Sequence, residues 1–226
     1  MRARLVAARA GFGLAWARLR PRGLFVLALG LAAALVVAVI ERATAPTSAP
    51  DRSLAFASGF VLPLVALGVV SLATGAEELG ASVWCLSRHG LSRRASLLGV
   101  GLAVVAATAL AALVVVEVTL AVAHGGSPGA DALTSGWIAA LGAAAYGSLA
   151  LAGARLLRRG RGRYVVVLLD LLLGGGHVWG LPWPRAHLAS LLGGPAAHGL
   201  SQAESSLVLG AVALGTGLVA TVVTRD

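Results

Sequence analysis

Apolar stretches of roughly twenty residues recur along the whole chain, and that is the length a helix needs to cross a hydrocarbon core. Short segments rich in arginine separate them. Helices are the expected form, because an open sheet edge in lipid would leave backbone groups without partners. Six spans can be drawn: Leu24–Ile40, Leu54–Gly75, Leu97–Ala123, Leu133–Gly153, Tyr164–Leu181 and Ser206–Thr224. The first and fifth are short, and Gly174-Gly175-Gly176 weakens the outer end of the fifth. Of 226 residues, 58% are hydrophobic and 12% charged, which excludes a large soluble core. The predicted fold is an all-α integral membrane protein, with a basic leader over 1–23 and a six-helix transmembrane domain over 24–226.

The formal charge of +9 is carried by eighteen arginines and no lysine. These residues sit between apolar runs rather than on one polar face, so they fit membrane topology and not nucleic-acid binding. Arg2, Arg4, Arg9, Arg18, Arg20 and Arg22 precede the first span. Arg88, Arg93 and Arg94 lie in the 2–3 loop, Arg155, Arg158, Arg159, Arg161 and Arg163 in the 4–5 loop, and Arg225 in the tail. The opposite side receives only Arg42, Arg52 and Arg185, a ratio of fifteen to three. The positive-inside bias predicts that both termini are cytoplasmic. The first apolar run is followed by no Ala-x-Ala-like cleavage site and is expected to remain as an anchor.

The N-terminal segment reads as an amphipathic interfacial helix. Leu5, Phe12, Trp16 and Leu19 fall within a narrow arc at 3.6 residues per turn, although Arg9 projects near that side and must snorkel. The 2–3 loop, "AEELGASVWCLSRHGLSRR", carries a second short amphipathic helix. Glu77 and Glu78 follow the second span, and Leu79, Val83 and Leu86 recur at helical spacing beside Trp84 and Cys85. His89-Gly90 forms a natural stop. Such an element can dock into a groove on a soluble partner.

The stretch "GAEELGASVWCLSRHGLSRRASLLG" resembles the segment between the second and third membrane helices of type-2 ABC-exporter permeases. The matching positions are Glu77, Glu78, Gly80, Leu86, Ser87, and Arg93 or Arg94. The resemblance extends to the layout: a basic amphipathic start, six spans, and a Pro-containing segment, "LPWPRAHLASLLGGPAAHGLSQAE", between the fifth and sixth. Where that family has a longer polar run with Arg after the acids, this chain has Leu79-Gly80-Ala81. The resemblance implies a bacterial inner-membrane subunit that pairs with a second permease copy or a similar chain. It also implies docking of a separate ATP-binding cassette ATPase through the 2–3 loop, at Glu77, Glu78, Gly80, Trp84, Leu86, Arg88, Arg93 and Arg94.

No phosphate-cradling G-x-x-x-x-G-K-[ST] loop is present, so no nucleotide cofactor is expected on this chain. Two acids fall inside spans, Glu117 and Asp170, and intramembrane acids usually face a bundle interior, a cavity or a partner. They are the candidates for a translocation path, with a structural hydrogen bond or snorkelling as the alternative. His124, His177, His187 and His198 lie on or near the external side, but their spacings match no ligand motif and no metal site is expected. Trp137, Trp179 and Trp183 read as interfacial anchors. A single Cys85 excludes an intrachain disulfide, and the G-x-S-x-G elbow is absent, so no catalytic residues are expected. A non-transporting membrane scaffold or assembly factor shares the six-span layout and stands as the alternative. An intramembrane enzyme lacks a paired acid–base motif.

Overall fold

The computed structural model describes residues 2–75, 77–125, 130–175 and 178–222, and these are all helix, turn and loop. Helix α1 (Arg2–Leu19) precedes α2 (Gly23–Thr44). Helices α3 (Ala49–Phe56) and α4 (Leu62–Thr74) join through a π-turn at Ala57–Val61. A short α5 (Trp84–Arg88) leads to α6 (Arg93–His124) and α7 (Ala130–Gly153). The chain ends with α8 (Gly162–Leu173), α9 (Pro184–Leu191) and α10 (Gln202–Val222).

Among the described residues, five helical segments are long and apolar enough to cross a membrane: Gly23–Thr44, Ala49–Thr74, Arg93–His124, Ala132–Gly153 and Gln202–Thr221. The expected fifth span, Tyr164–Leu181, is not one helix. Helix α8 stops at Leu173 after 12 residues. At 1.5 Å per residue that is about 18 Å, short of a hydrocarbon core of about 30 Å. The cause is part local chemistry and part tertiary contact. Asp170 turns inward in the last turn and Gly174 follows, while Trp183, before Pro184, is extended and Pro184 opens α9.

Local signals explain the other boundaries. Ser92 caps α6 by accepting from the Ala95 N–H at 3.5 Å, and Gly125 closes it in the left-handed conformation at φ +72°. Ser201 and Glu204 form a reciprocal capping box at the start of α10, with bonds of 2.8 and 3.3 Å. The π-turn has an equally specific source. Pro63 lacks an N–H and its ring crowds the carbonyl four residues back, at Gly59, so the helix widens there.

The contacts gather described loops at two ends, with the α8–α9 connection between them. The first end holds the α1–α2 corner, the 2–3 loop, the 4–5 loop and the finish of α10. Arg18 donates to the Ala73 carbonyl at 3.1 Å, the Leu79 N–H donates to Ala154 at 3.4 Å, and Arg155 donates to Val219 at 2.6 Å. At the other end Arg42 donates to the Val122 carbonyl at 3.2 Å, and Arg52 pairs with Glu41 at 3.3 Å. Arginines crowd the first end, as the sequence predicts. Arg185 is the exception: it lies at mid-depth beside Asp170 and Gly59 rather than at the opposite end. Arg225 lies outside the described residues.

Helix α6 overhangs its neighbours. Gly101 sits level with Leu151 and Thr221, close to the ends of α7 and α10. The preceding residues 93–100 therefore project about 12 Å further, at 1.5 Å per residue. Helix α1 packs on this overhang through Ala7, Gly11 and Ala15, a stripe of small residues spaced by four and all buried. A Cβ at Gly11 would strike the Ser96 carbonyl, and one at Gly99 the Ala8 carbonyl, so the two backbones touch. Of the expected apolar arc, Leu5, Phe12 and Trp16 are exposed while Leu19 turns into the core.

Candidate functional site

Two regions gather the polar groups that sequence reasoning singled out. The first is the 2–3 loop at the arginine-rich end. A turn over residues 77–80 runs into a 3-10 turn (Ala81–Val83) and then α5, so the helical part covers 81–88. Leu79 and Val83 are buried, and Leu86 packs half-buried against the chain's own core. Trp84 points the other way and is 59% exposed, with the Arg88 guanidinium 4.6 Å from its ring centroid. Cys85 is exposed. Gly90, at φ +77°, ends the element, where Leu91 N–H donates back to Leu86 at 3.2 Å.

Glu77 and Glu78 are exposed, and their backbone carbonyls do the structural work. Glu78 accepts from Ala81 and Ser82 at 3.0 and 3.2 Å. Gly80 lies directly under the Arg93 guanidinium, which a Cβ there would strike, so the loop passes close to the first turn of α6. Arg94 follows as an exposed residue of that turn.

What anchors the loop is Arg163, a residue the sequence reading counted only toward topology. It is 1% exposed. Its Nε donates to the Gly160 carbonyl at 2.8 Å, Nη1 to the Thr74 hydroxyl at 2.7 Å, and Nη2 to the Glu77 carbonyl at 2.9 Å. One side chain thus ties together the 4–5 corner, the last turn of α4 and the start of the 2–3 loop. Its only local signal is its place as the last arginine before an apolar run, just after Gly160-Arg161-Gly162.

The second region is at mid-depth, where α8 ends and α9 begins. Asp170 is fully buried, and its Oδ1 accepts from the Arg185 backbone N–H at 3.4 Å. That N–H belongs to the first turn of α9, where backbone donors have no partner within the helix and the dipole favours an anion. Asp170 therefore caps α9 from another helix. The Arg185 side chain reaches back, donating from Nη1 to the Leu171 carbonyl at 2.6 Å. Its Nε lies 3.3 Å from where a Gly59 Cβ would stand, so the widened turn at Gly59 makes room for it. A Cβ on Gly174 would strike the Asp170 carbonyl and lie 2.9 Å from the Arg185 Cβ. Tyr146 of α7, also fully buried, directs its hydroxyl at Asp170 without closing a regular hydrogen bond, and Asp170 Oδ2 has no partner. Asp170 is thus inside the bundle as the sequence predicts, but its neighbours Arg185 and Tyr146 are not legible there.

Glu117 lies elsewhere. Its Oε1 is 2.8 Å from the position of a Gly136 Cβ, in the half of the α6–α7 seam remote from the arginine-rich end, and no hydrogen bond joins it to Asp170 or Arg185. The two acids are not brought together. The histidines converge only in part: His187 and His198 have ring centroids 6.2 Å apart, with His187 Nε2 2.8 Å from the Leu181 carbonyl. His124 is exposed at the end of α6, and His177 lies outside the described residues. Among the described residues no three His, Cys, Asp or Glu side chains are grouped to hold a metal. Trp137 and Trp179 are exposed and Trp183 is half-buried. No family model, curated protein or solved structure matches the chain.

Proposed function

We propose that this chain is the membrane-spanning subunit of an ATP-driven exporter of the ABC type. In this reading it works as a dimer with a second copy or a similar chain, in a bacterial inner membrane with both termini cytoplasmic. One observation carries the reading. At the arginine-rich end a short helix turns its aliphatic side into the bundle, exposes Trp84 under Arg88, and is held by the buried Arg163. An exposed aromatic beside a cation on a rigidly anchored loop suits docking to a soluble subunit, which here is an ATPase. The close fit of Gly80 beneath Arg93 adds a second brace, so a push on α5 passes directly to α6.

The fifth crossing is then discontinuous. Helix α8 starts at the arginine-rich end, where Gly162 abuts Gly153, and α9 carries the chain on to Leu191 and Leu192, beside Thr47 and His124 at the other end. Broken spans of this sort place helix termini and polar groups at mid-membrane, where transporters bind or move cargo. Asp170 and Tyr146 are the groups that would face a path there, while Glu117 is too remote to act with them. In this reading α1, packed on the α6 overhang, lies at the cytoplasmic interface and turns the exposed Phe12 and Trp16 toward lipid.

The test is recovery of the ATPase by the purified permease. Trp84→Ala is expected to release that subunit, or to uncouple its hydrolysis from transport, with the bundle still folded. Aromatic anchors of this kind contribute about 2 kcal/mol or more on truncation. Unchanged recovery together with unchanged coupled hydrolysis overturns the docking role. Reporter fusions after Arg94 and Arg163 should behave as cytoplasmic and fusions near Pro128 and Pro195 as external. An odd number of crossings from that mapping overturns the topology.

A further inference from the structure

Helices α2 and α6 close against each other at one end only. Toward Thr44 the contact is tight, with Ala34 and Ala38 fully buried and Arg42 bonded to Val122. Toward the arginine-rich end no side chain fills the space between them, and a groove of about 360 Å³ remains. Val65 and Val69 form its floor, Leu24 and Leu27 one wall, and Leu110 and Val114 the other. Three of these wall residues, Leu24, Leu110 and Val114, are exposed.

The mouth of the groove is chemically distinct from its length. Trp16 and Arg20, at the end of α1, line it. The same two residues continue onto an exposed apolar face of α1 that runs over Phe12 and Pro21. Arg20 is exposed and stands between the groove and this face. It sits at the level where α1 packs on the α6 overhang, and from there Ala107 to Val114 lead about 10 Å toward the other end, at 1.5 Å per residue. A cation and an indole at the mouth, with an apolar groove on one side and an exposed apolar helix face on the other, match one ligand: a molecule with an anionic head and two hydrocarbon tails.

We infer that this corner holds an anionic phospholipid of the leaflet on the arginine-rich side. Its phosphate lies on Arg20, one acyl chain in the α2–α6 groove and the other over Phe12 and Trp16. The charge at the mouth selects an acidic headgroup, because each arginine near a membrane surface adds attraction for anionic lipid while the apolar walls accept any chain. This inference rests on the membrane character of the helices and is independent of any ATPase partner.

Native mass spectrometry of the detergent-purified full chain, with phosphatidylglycerol or phosphatidylcholine added, reads the site directly. Wild type is expected to keep one phosphatidylglycerol and to shed phosphatidylcholine. Arg20→Gln should lower phosphatidylglycerol retention about fivefold. Leu110→Trp, which fills the groove from an exposed position, should lower retention of either lipid, while Arg2→Gln at the start of α1 should behave as wild type. Gel filtration checks that each variant is folded. Equal retention of the two lipids by wild type, or undiminished retention in Arg20→Gln, overturns the proposal. So does full displacement by inorganic phosphate, which would make the site a free-anion site. A wild type that binds neither lipid but self-associates through Leu110 gives the groove to a second copy and overturns it too.

Discussion

Helix α6 and the α8–α9 pair run between the same two ends of the bundle by opposite means. Helix α6 is continuous over 32 residues, capped by Ser92 and Gly125, and its backbone groups bond within itself. The pair is interrupted at Leu173, and its exposed backbone groups must be satisfied by side chains: Asp170 serves the start of α9 and Arg185 serves the end of α8. In lipid an unpaired N–H or C=O costs several kcal/mol, so a break is tolerated only where the protein supplies such partners. The difference teaches where the polar residues of an apolar chain go. On α6, Thr108 bonds its own helix at 2.9 Å and braces Ala143 at 3.3 Å, a packing role. At the break, the charges hold two helix ends together.

The largest expected effect tests that contrast directly. Asp170→Leu removes the acceptor from the α9 terminus and leaves Arg185 facing an apolar side chain, and a lost charged hydrogen bond of this kind costs about 1.5–3 kcal/mol. Thermal unfolding in detergent should fall accordingly, whereas Asp170→Asn, which keeps an acceptor oxygen, should recover most of the loss. If the leucine variant melts with wild type, the break is not held by Asp170.

Next in size is a pair of glycine substitutions. Gly99→Ala forces α1 off the α6 overhang, and Gly174→Ala forces the Asp170 carbonyl away from Arg185. Overpacking of this kind costs about 1–3 kcal/mol. Limited proteolysis separates them: the first should expose α1, the second the segment between α8 and α9. The same pattern of cuts in both would mean the two regions are one cooperative unit. Gly210→Ala on α10 is the matched control, since nothing lies within 4 Å of its added methyl, and it should stabilise the helix by at most about 1 kcal/mol.

The smallest effect is expected from Thr119→Val on α6. The Thr119 hydroxyl is buried without a partner, so its loss should shift stability by about 0.5 kcal/mol or less. A large destabilisation there would mean the continuous helix also depends on polar contacts, and the contrast with α8–α9 would fail.

Much of the architecture was legible because its signals are local. Apolar run length gave five of the six expected spans as helices, and Gly90, Ser92 and Gly125 mark boundaries through φ angles and caps that depend on near neighbours. The apolar spacing of Leu79, Val83 and Leu86 was legible, but not its direction: read as an apolar side for a partner's groove, with Leu86 an anchor, it turns into the chain's own core instead. The fifth span failed as a single helix because hydropathy averages over a window and cannot see that Asp170 would be recruited as a cap by a segment 15 residues away.

The sequence by itself determined that this is an apolar, helical, multi-pass chain with its arginines gathered at one end, because hydropathy and charge act residue by residue. Only the tertiary structure decided which arginines leave water. Arg163 and Arg22 are alike in sequence, each an arginine just before an apolar run, yet Arg22 stays exposed. Arg163 is buried because Thr74, 89 residues away, and the Glu77 carbonyl are there to receive it. Likewise Arg185 reads as a loop residue until Gly59 and Leu171 make a place for it at mid-depth. Burying a charge requires partners at fixed positions, and those positions exist only once distant helices have packed.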